Sequence, residues 1–402
     1  MSGHVMVSFK RRVWVPIATA VAVVAATAAP ATAAQGGLLD RALAAVHAAG
    51  MPGVYAEVRD GRRTWQGASG VADTATGRPV RPDFEHRAGS TTKTFVATGV
   101  LQQVAAGRID LDAPIARYLP GLVKDERGRK VTVRMLLNHT SRIADYVSIG
   151  GLWATTDDIY RTRLTSYAPE RLAEIGLNLP PLPGEPGSEH SYSNTNYAIL
   201  GLLLAKVTGQ PVRDYLTRNV IRAAGIGRTT YFPGNDPVIR GPHSRAYDSM
   251  YGTWNPPKDF SVTNMSWAGT AGEIVSTVDD LNRFYRALLQ GRLLPPALLA
   301  EMKKPGTADT TYGLGIFSLP IPGCGTFWGH DGGAFGMGTY AFSTEDGTRQ
   351  IAIGINMHKY QQIGPDGQIQ QHAIDRAIGG LIRAGLCPSS PATELPLDGV
   401  RG

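Results

Sequence analysis

Cysteine is scarce: the 402 residues hold only Cys324 and Cys387. Two cysteines so far apart exclude a small disulfide-framed scaffold and a cysteine zinc cluster. The nine histidines show no metal-ligand spacing, so no metal site is expected. Runs of like charge are missing as well. The formal charge is +7, and three of those charges are Lys10, Arg11 and Arg12, which leaves about +4 (7 − 3) for the rest of the chain. Charges this scattered exclude nucleic acid as an expected partner, and mild positive charge suits residence near an anionic cell wall. There is no internal repeat. Residues 388–402 carry no apolar stretch, which argues against a tail anchor.

The one long apolar run lies at the start. Behind the basic head at Lys10–Arg12 comes an uncharged Ala/Val-rich stretch, and Ala31-Thr32-Ala33 offers small residues for cleavage. Residues 1–34 are therefore expected to be a secretory signal. The alternative is a retained span, against which the alanines, Pro16 and Pro30 argue. Neither cysteine lies near the cleavage point, which argues against a lipoprotein. Export places Cys324 and Cys387 where a disulfide persists, and pairing is expected to contribute about 4 kcal/mol on the chain-entropy model. The alternative is two buried thiols.

What remains, 35–388 with a tail at 389–402, is long enough for one large core. Leu38 to Ala49 reads as an amphipathic helix. Val54–Arg59 and Arg63–Ala68 flank Asp60-Gly61, a hairpin signal. Between Ile109 and Pro257 the pattern is helical with long polar loops: 132–138, 156–165, 196–207 capped by Gly209, and 211–224. Thr277-Val278-Asp279-Asp280 resembles a capping box opening a helix to Leu289. Strands follow at 326–328, 338–343 and 350–356, then a helix with Ala373/Ile374, Ala377/Ile378 and Leu381/Ile382 on one face. The expected fold is α/β (α+β). Its antiparallel sheet is built from 35–108 and 258–388 and flanked by helices, with an α-rich insertion at 109–257.

Chemistry centres on Ser90-Thr91-Thr92-Lys93, at the start of a helix that runs to Gly107. A serine hydroxyl needs a neighbour to take its proton. Residues three apart share a helix face, which brings Ser90 and Lys93 together. Phe95, Val96, Val100, Leu101 and Val104 are too many for one narrow stripe and predict a helix buried on most sides. Burial favours the neutral amine, the form that accepts a proton. Ser-x-x-Lys arises by chance about once in a chain of this length, usually as an N-cap with a solvated lysine. Here Lys93 alone of nine lysines follows a serine at that spacing.

Two further motifs follow. Tyr192-Ser193-Asn194 stands between a Pro/Gly loop and a helix: a phenol there can pass a proton to a leaving group, and the Asn194 amide can bind a substrate carbonyl and a lysine. Trp328-Gly329-His330-Asp331-Gly332-Gly333 sits at a strand edge. Its glycines let a substrate backbone lie close, and the Gly333 N–H is a candidate oxyanion donor beside that of Ser90. Taken singly, each is more simply a packed tyrosine and a tight loop. Trp267 and Tyr146 are candidates for lining a cleft and equally for the core.

Ser90/Lys93, Tyr192/Asn194 and His330/Gly332, in that order, resemble the serine-type D-Ala-D-Ala carboxypeptidase and class C β-lactamase superfamily. Asp110–Pro114, Leu136–Ser141 and Tyr312–Gly315 extend the likeness over nearly the whole chain. The resemblance implies a secreted serine hydrolase working through an acyl-enzyme, with D-Ala-D-Ala carboxypeptidase activity on peptidoglycan stem peptides foremost. It implies Ser90, Lys93 and Tyr192 as catalytic residues, and Asn194, His330, Asp331, Gly332, Gly333 and Trp267 around the substrate. Penicillins and other β-lactams are implied as inhibitors or substrates, and no cofactor is. Esterase, D-aminopeptidase-like and β-lactamase activities, or a penicillin-binding sensor that does not turn over, are the alternatives.

The sequence also departs from that pattern. His330 replaces the lysine usual in class C β-lactamases. Hydroxyl residues and an arginine that would bind a substrate carboxylate are replaced by Asp331, Gly333 and Phe317. Asp331 would repel a carboxylate if it faces the cleft and would be neutral in effect if it points behind the strand, as alternate strand residues do. If it faces the cleft, substrates carrying an amine or no charge are expected. Arg142 stands where the family continues with glycine, and is expected to alter a loop beside the cleft.

Overall fold

A computed structural model describes residues 1–4, 29–123 and 126–388. Most of the expected signal segment lies outside those residues. Its last six begin the first helix, α1 (Ala29–Ala48), which starts well before Leu38. No helix among the described residues is long and apolar enough to cross a membrane.

The expected hairpin is β1 (Gly53–Asp60) and β2 (Arg63–Asp73), extended by the short β3 (Arg78–Pro79). Four strands come from the far end of the chain: β4 (Phe317–Ile321), β5 (Gly325–Ala334), β6 (Met337–Thr344) and β7 (Arg349–Ile355). They form one antiparallel sheet in the order β3-β2-β1-β7-β6-β5-β4. The two ends of the chain thus meet at β1 and β7, where Val54, Ala56 and Val58 stand opposite Ile355, Ile353 and Ile351.

Side chains alternate between the faces of a strand. One face of β1 and β7 buries these residues under α1 and the C-terminal helix, Ala373–Leu386, through Leu39, Leu43, Ile374, Ile378 and Ile382. The other face lies under Val278–Leu289, whose Leu281, Phe284 and Leu288 join the larger core. Cys324, just before β5, is bonded to Cys387 at the end of the C-terminal helix, closing a loop of 63 residues.

Residues 109–257 supply helices around a buried centre, and several elements there and later in the chain differ from the sequence reading. The helix at 156 stops at Arg161. The stretch from 212 is a short helix, Val212–Leu216, followed by a wider turn, Thr217–Ile221. Pro169–Asn178 and Pro296–Met302 are helices that the sequence reading missed, both opening on proline at the first position. The edge strand β4 was also missed. Its alternation of Phe317, Leu319 and Ile321 is plain, but Pro320 argues against a strand except at an edge. At Thr277 only half of the capping box forms. The Thr277 hydroxyl accepts from the Asp280 N–H, while the Asp280 carboxylate turns to the hydroxyls of Thr229 and Thr230.

Candidate active site

Ser90 lies in a single tight turn, Gly89–Thr91, that leads into α2 (Thr92–Ala105). The turn is pressed against β5. Gly89 has φ 56° and a Cβ there would stand 2.6 Å from the Gly333 nitrogen, while a Cβ on Gly332 would stand 1.9 Å from the Ala88 carbonyl oxygen. Only glycine lets these two backbones approach so closely. Partner strand β4 pairs with Gly325–Gly329 alone, so beyond it β5 presents an open edge beside Ser90. The Ser90 nitrogen stands close to Gly332 at that edge, where a Cβ on Gly332 would lie 3.1 Å from it. The α2 side chains from Thr92 to Leu101 are buried on every side.

Lys93 is fully buried beneath Ser90. Its Nζ stands 3.0 Å from Ser90 Oγ, 2.8 Å from Asn194 Oδ1 and 2.8 Å from the Ala271 carbonyl oxygen. The last two are acceptors only. A neutral amine spends its two N–H bonds on them and is left with its lone pair directed at the Ser90 hydroxyl. Desolvation pulls the Lys93 pKa down to about 7, and the charges of Asp145 and Asp331 oppose that fall. The neutral form is therefore abundant near neutral pH.

Asn194 opens its helix, Asn194–Thr208, and its amide is fixed at both ends: Oδ1 faces Lys93 and Nδ2 donates to Asp145 Oδ2 at 2.9 Å. Asp145 was not anticipated from the sequence. It is half-buried, desolvation raises its pKa, and it lines the cleft. Tyr192 places its ring 4.6 Å from Lys93 Nζ. Burial pushes its phenol pKa far up, and the nearby Ser90 hydroxyl lowers it only in part. The phenol makes no well-formed hydrogen bond. Beneath it lies His139, rings 4.2 Å apart. Its Nδ1 accepts from the Ser193 N–H at 3.2 Å, and burial keeps the imidazole neutral.

The third motif divides. His330 is fully buried and does not line the cleft. Its Nδ1 stands 2.6 Å from the Asp331 carbonyl oxygen, an acceptor, so Nδ1 carries the proton and Nε2 accepts from the Tyr312 hydroxyl at 2.8 Å. His330 thus lies behind Tyr312 and Phe317, away from direct contact with a substrate, contrary to the sequence expectation. Asp331 does face the cleft. Its Oδ1 is buried with no hydrogen bond, 3.5 Å from His330 Nδ1, whose proton is already engaged.

The cleft is a cavity of about 580 Å³ whose lining includes Ser90, Asp145, Tyr192, Asn194, Asp331 and Gly333. Its opposite wall is largely apolar: Trp153, Ile159, Met250, Trp267, Phe335 and Ile363. Trp267 lines it with a buried indole N–H that has no partner. Tyr146 is core, and its hydroxyl holds the Trp267 carbonyl at 2.8 Å. Arg142, with φ 59°, binds the Pro183 carbonyl and pairs with Glu189 at 3.2 Å, pinning the loop before Tyr192.

Residues 39–372 match the family described as Beta-lactamase. Penicillin-binding protein 4 of Amycolatopsis lactamdurans is 31% identical over 68% of this chain and 72% of its own. A penicillin-binding protein of Bacillus subtilis (strain 168) is 25% identical, and the chain spans 63% of its length. Among solved structures, a D-stereospecific amidohydrolase from Streptomyces sp. superposes with TM-score 0.77 and 36% identity, covering 88% of this chain and 99% of its own. The D-amino acid amidase of Ochrobactrum anthropi SV3, complexed with L-phenylalanine amide, does so with TM-score 0.72 and 25% identity over 87% and 98%. A nucleophile, a desolvated amine and a phenol on this framework are what that kinship requires, and the chain belongs to the β-lactamase superfamily of serine hydrolases.

Proposed function

We propose that the protein is an exported D-stereospecific amidohydrolase whose donors carry a bulky apolar side chain, with an amine or no charge next to the scissile carbonyl. The observation that carries this reading is the Asp331 carboxylate, which lines the same cavity as Ser90. A carboxylate adjacent to the scissile bond would meet it unfavourably, whereas an ammonium or amide N–H would satisfy it. The aromatic wall and the kinship to amidases of D-amino acids support the same substrate class. The basic head, the apolar run and the disulfide support export.

In this mechanism Ser90 Oγ attacks the carbonyl as its proton passes to Lys93 Nζ. The N–H groups of Ser90 and Gly333 hold the oxyanion. As the C–N bond breaks, the leaving nitrogen takes a proton by way of the Tyr192 phenol. Water then attacks the ester and gives its proton to Lys93; as the bond to Ser90 Oγ breaks, Lys93 returns that proton to Oγ, and the D-amino acid is released.

The D-Ala-D-Ala carboxypeptidase suggested by the family resemblance is the competing reading. Ammonia release from D-phenylalanine amide, absent with the L-enantiomer and with Ser90→Ala, is the expected result. D-alanine release from diacetyl-L-Lys-D-Ala-D-Ala, without turnover of the amide, would replace the proposal by the carboxypeptidase. Stable acylation by penicillin with neither substrate consumed would replace it by the sensor.

A further inference from the structure

Among the described residues, Lys359 is the single lysine or arginine lining the cavity. Its backbone is held in an unusual conformation, φ 49°, by two bonds to its own carbonyl: the Ser249 hydroxyl donates at 2.7 Å and the Tyr251 N–H at 2.8 Å. Its ammonium lies 4.6 Å from the centre of the Phe335 ring and 5.8 Å from that of Tyr251. Its one hydrogen-bond neighbour among the described residues is the Met250 sulfur at 3.7 Å, a weak acceptor. No oxygen among the described residues meets it. Asp248, the acid that acts on it, already spends its two oxygens on the N–H groups of Met250 and Gly336.

An ammonium held against aromatic rings with no oxygen partner is an incomplete site. Cation–π contact compensates only part of its desolvation, and the ion most favourable to add is a carboxylate. Asp331, by contrast, stands near enough to Lys93 and Tyr192 to act on both. Phe335, over which Lys359 lies, is in the turn that follows β5, two residues beyond Gly333. The cavity therefore carries a negative group beside the nucleophile and a positive one over the turn that follows β5.

We propose that Lys359, Phe335 and Tyr251 form an anion subsite for a substrate carboxylate carried at a distance from the scissile bond. This deepens the amidohydrolase reading and rests on it for the identity of the donor. Such a carboxylate has two sources: the C terminus of a leaving peptide, or an acidic side chain on the acyl residue.

The test measures binding separately from turnover. In Ser90→Ala protein, titration calorimetry compares D-Phe-Gly-Gly with its C-terminal amide, and D-glutamate α-amide with D-glutamine α-amide. The charged member of one pair is expected to bind roughly tenfold tighter or more. The pair that shows the gap identifies the source. The gap should vanish in Ser90→Ala/Lys359→Asn, since asparagine tolerates the left-handed backbone, and persist in Ser90→Ala/Lys359→Arg. Equal affinities within both pairs, or a gap that survives Lys359→Asn, would overturn the subsite. Should Lys359→Asn fail to fold, the acid-to-amide ratios in Ser90→Ala still decide. Wild-type turnover of the same compounds tests the amidohydrolase reading on its own: a binding gap without turnover keeps the subsite and removes that reading.

Discussion

The two walls of the cleft differ in how completely their polar groups are paired. On the α2 wall, Lys93 meets Ser90, Asn194 and Ala271, and Asn194 continues to Asp145. The second wall is the rest of the lining: the Asp331 Oδ1, beside the nucleophile, and the Trp267 indole N–H are buried without partners among the described residues, and Lys359 finds only sulfur and rings there. An unsatisfied buried polar group costs about 1–3 kcal/mol, so such groups persist where a ligand completes them. The first wall is paired before substrate arrives except at the Tyr192 phenol and, in the proposed mechanism, carries the chemistry. In the same reading the second is completed by substrate and carries selection.

The sharpest way to break this division is at the finished wall. Lys93→Gln removes the base while keeping a polar side chain, and acylation by a penicillin is expected to slow about 10²–10⁴-fold. Stopped-flow kinetics or timed mass spectrometry measures it, and a loss under tenfold would show that another group takes the proton. In the wild type, acylation should rise with pH through about 7, because only the deprotonated amine serves. Protonation below that point removes the lone pair.

Stability should separate from selection. Cys324 and Cys387 close a 63-residue loop, so Cys324→Ser/Cys387→Ser should lower unfolding free energy by about 4 kcal/mol on the chain-entropy model. Denaturant titration reads the loss. The ratio of rates on amine-bearing and carboxylate-bearing substrates should stay unchanged, and a shift in that ratio would tie the disulfide to the selecting wall.

Asp331→Asn acts on both walls, with smaller effect. Rates on carboxylate-bearing substrates should rise relative to amine-bearing ones by roughly tenfold. Asp331 also raises the Lys93 pKa, so its removal should move the acylation inflection to lower pH. An unchanged substrate ratio with a shifted inflection would restrict Asp331 to tuning the base.

The finished wall was the more legible in the sequence. Ser90 and Lys93 are three residues apart, and Tyr192 and Asn194 two, so local geometry nearly determines their placement. The β1–β2 hairpin and the strands at 338–343 and 350–356 were legible for the same reason, through turn residues and alternation. The selecting wall depends on distant pairings. Whether Asp331 faced the cleft could not be read from strand parity without knowing where β5 meets Ser90. Lys359 looks like any loop lysine until Met250, Tyr251 and Phe335 converge on it. Asp145 stands four residues past the phrase Leu136–Ser141 and had no motif to mark it. His330 matched a motif position, yet Tyr312 and Phe317 draw it into the core.

The segment from Trp267 to Ala271 joins the two walls, since it supplies the Trp267 ring to one and the Ala271 carbonyl to the other. Tyr146 holds it from below through the hydroxyl bond to the Trp267 carbonyl. Tyr146→Phe removes that bond and keeps the buried ring, so stability should fall by only about 1 kcal/mol. If the segment is rigid, small displacements at Trp267 and Ala271 travel together. KM for aromatic donors should then rise and kcat fall severalfold in parallel, with the pH inflection of acylation moved because Lys93 loses its carbonyl anchor. If KM alone changes, the segment yields at Trp267 before reaching Ala271, and the walls are mechanically independent. Steady-state kinetics across pH on a D-phenylalanine and a D-alanine amide distinguishes the two, because the smaller side chain reports on Ala271 with little contribution from the tryptophan.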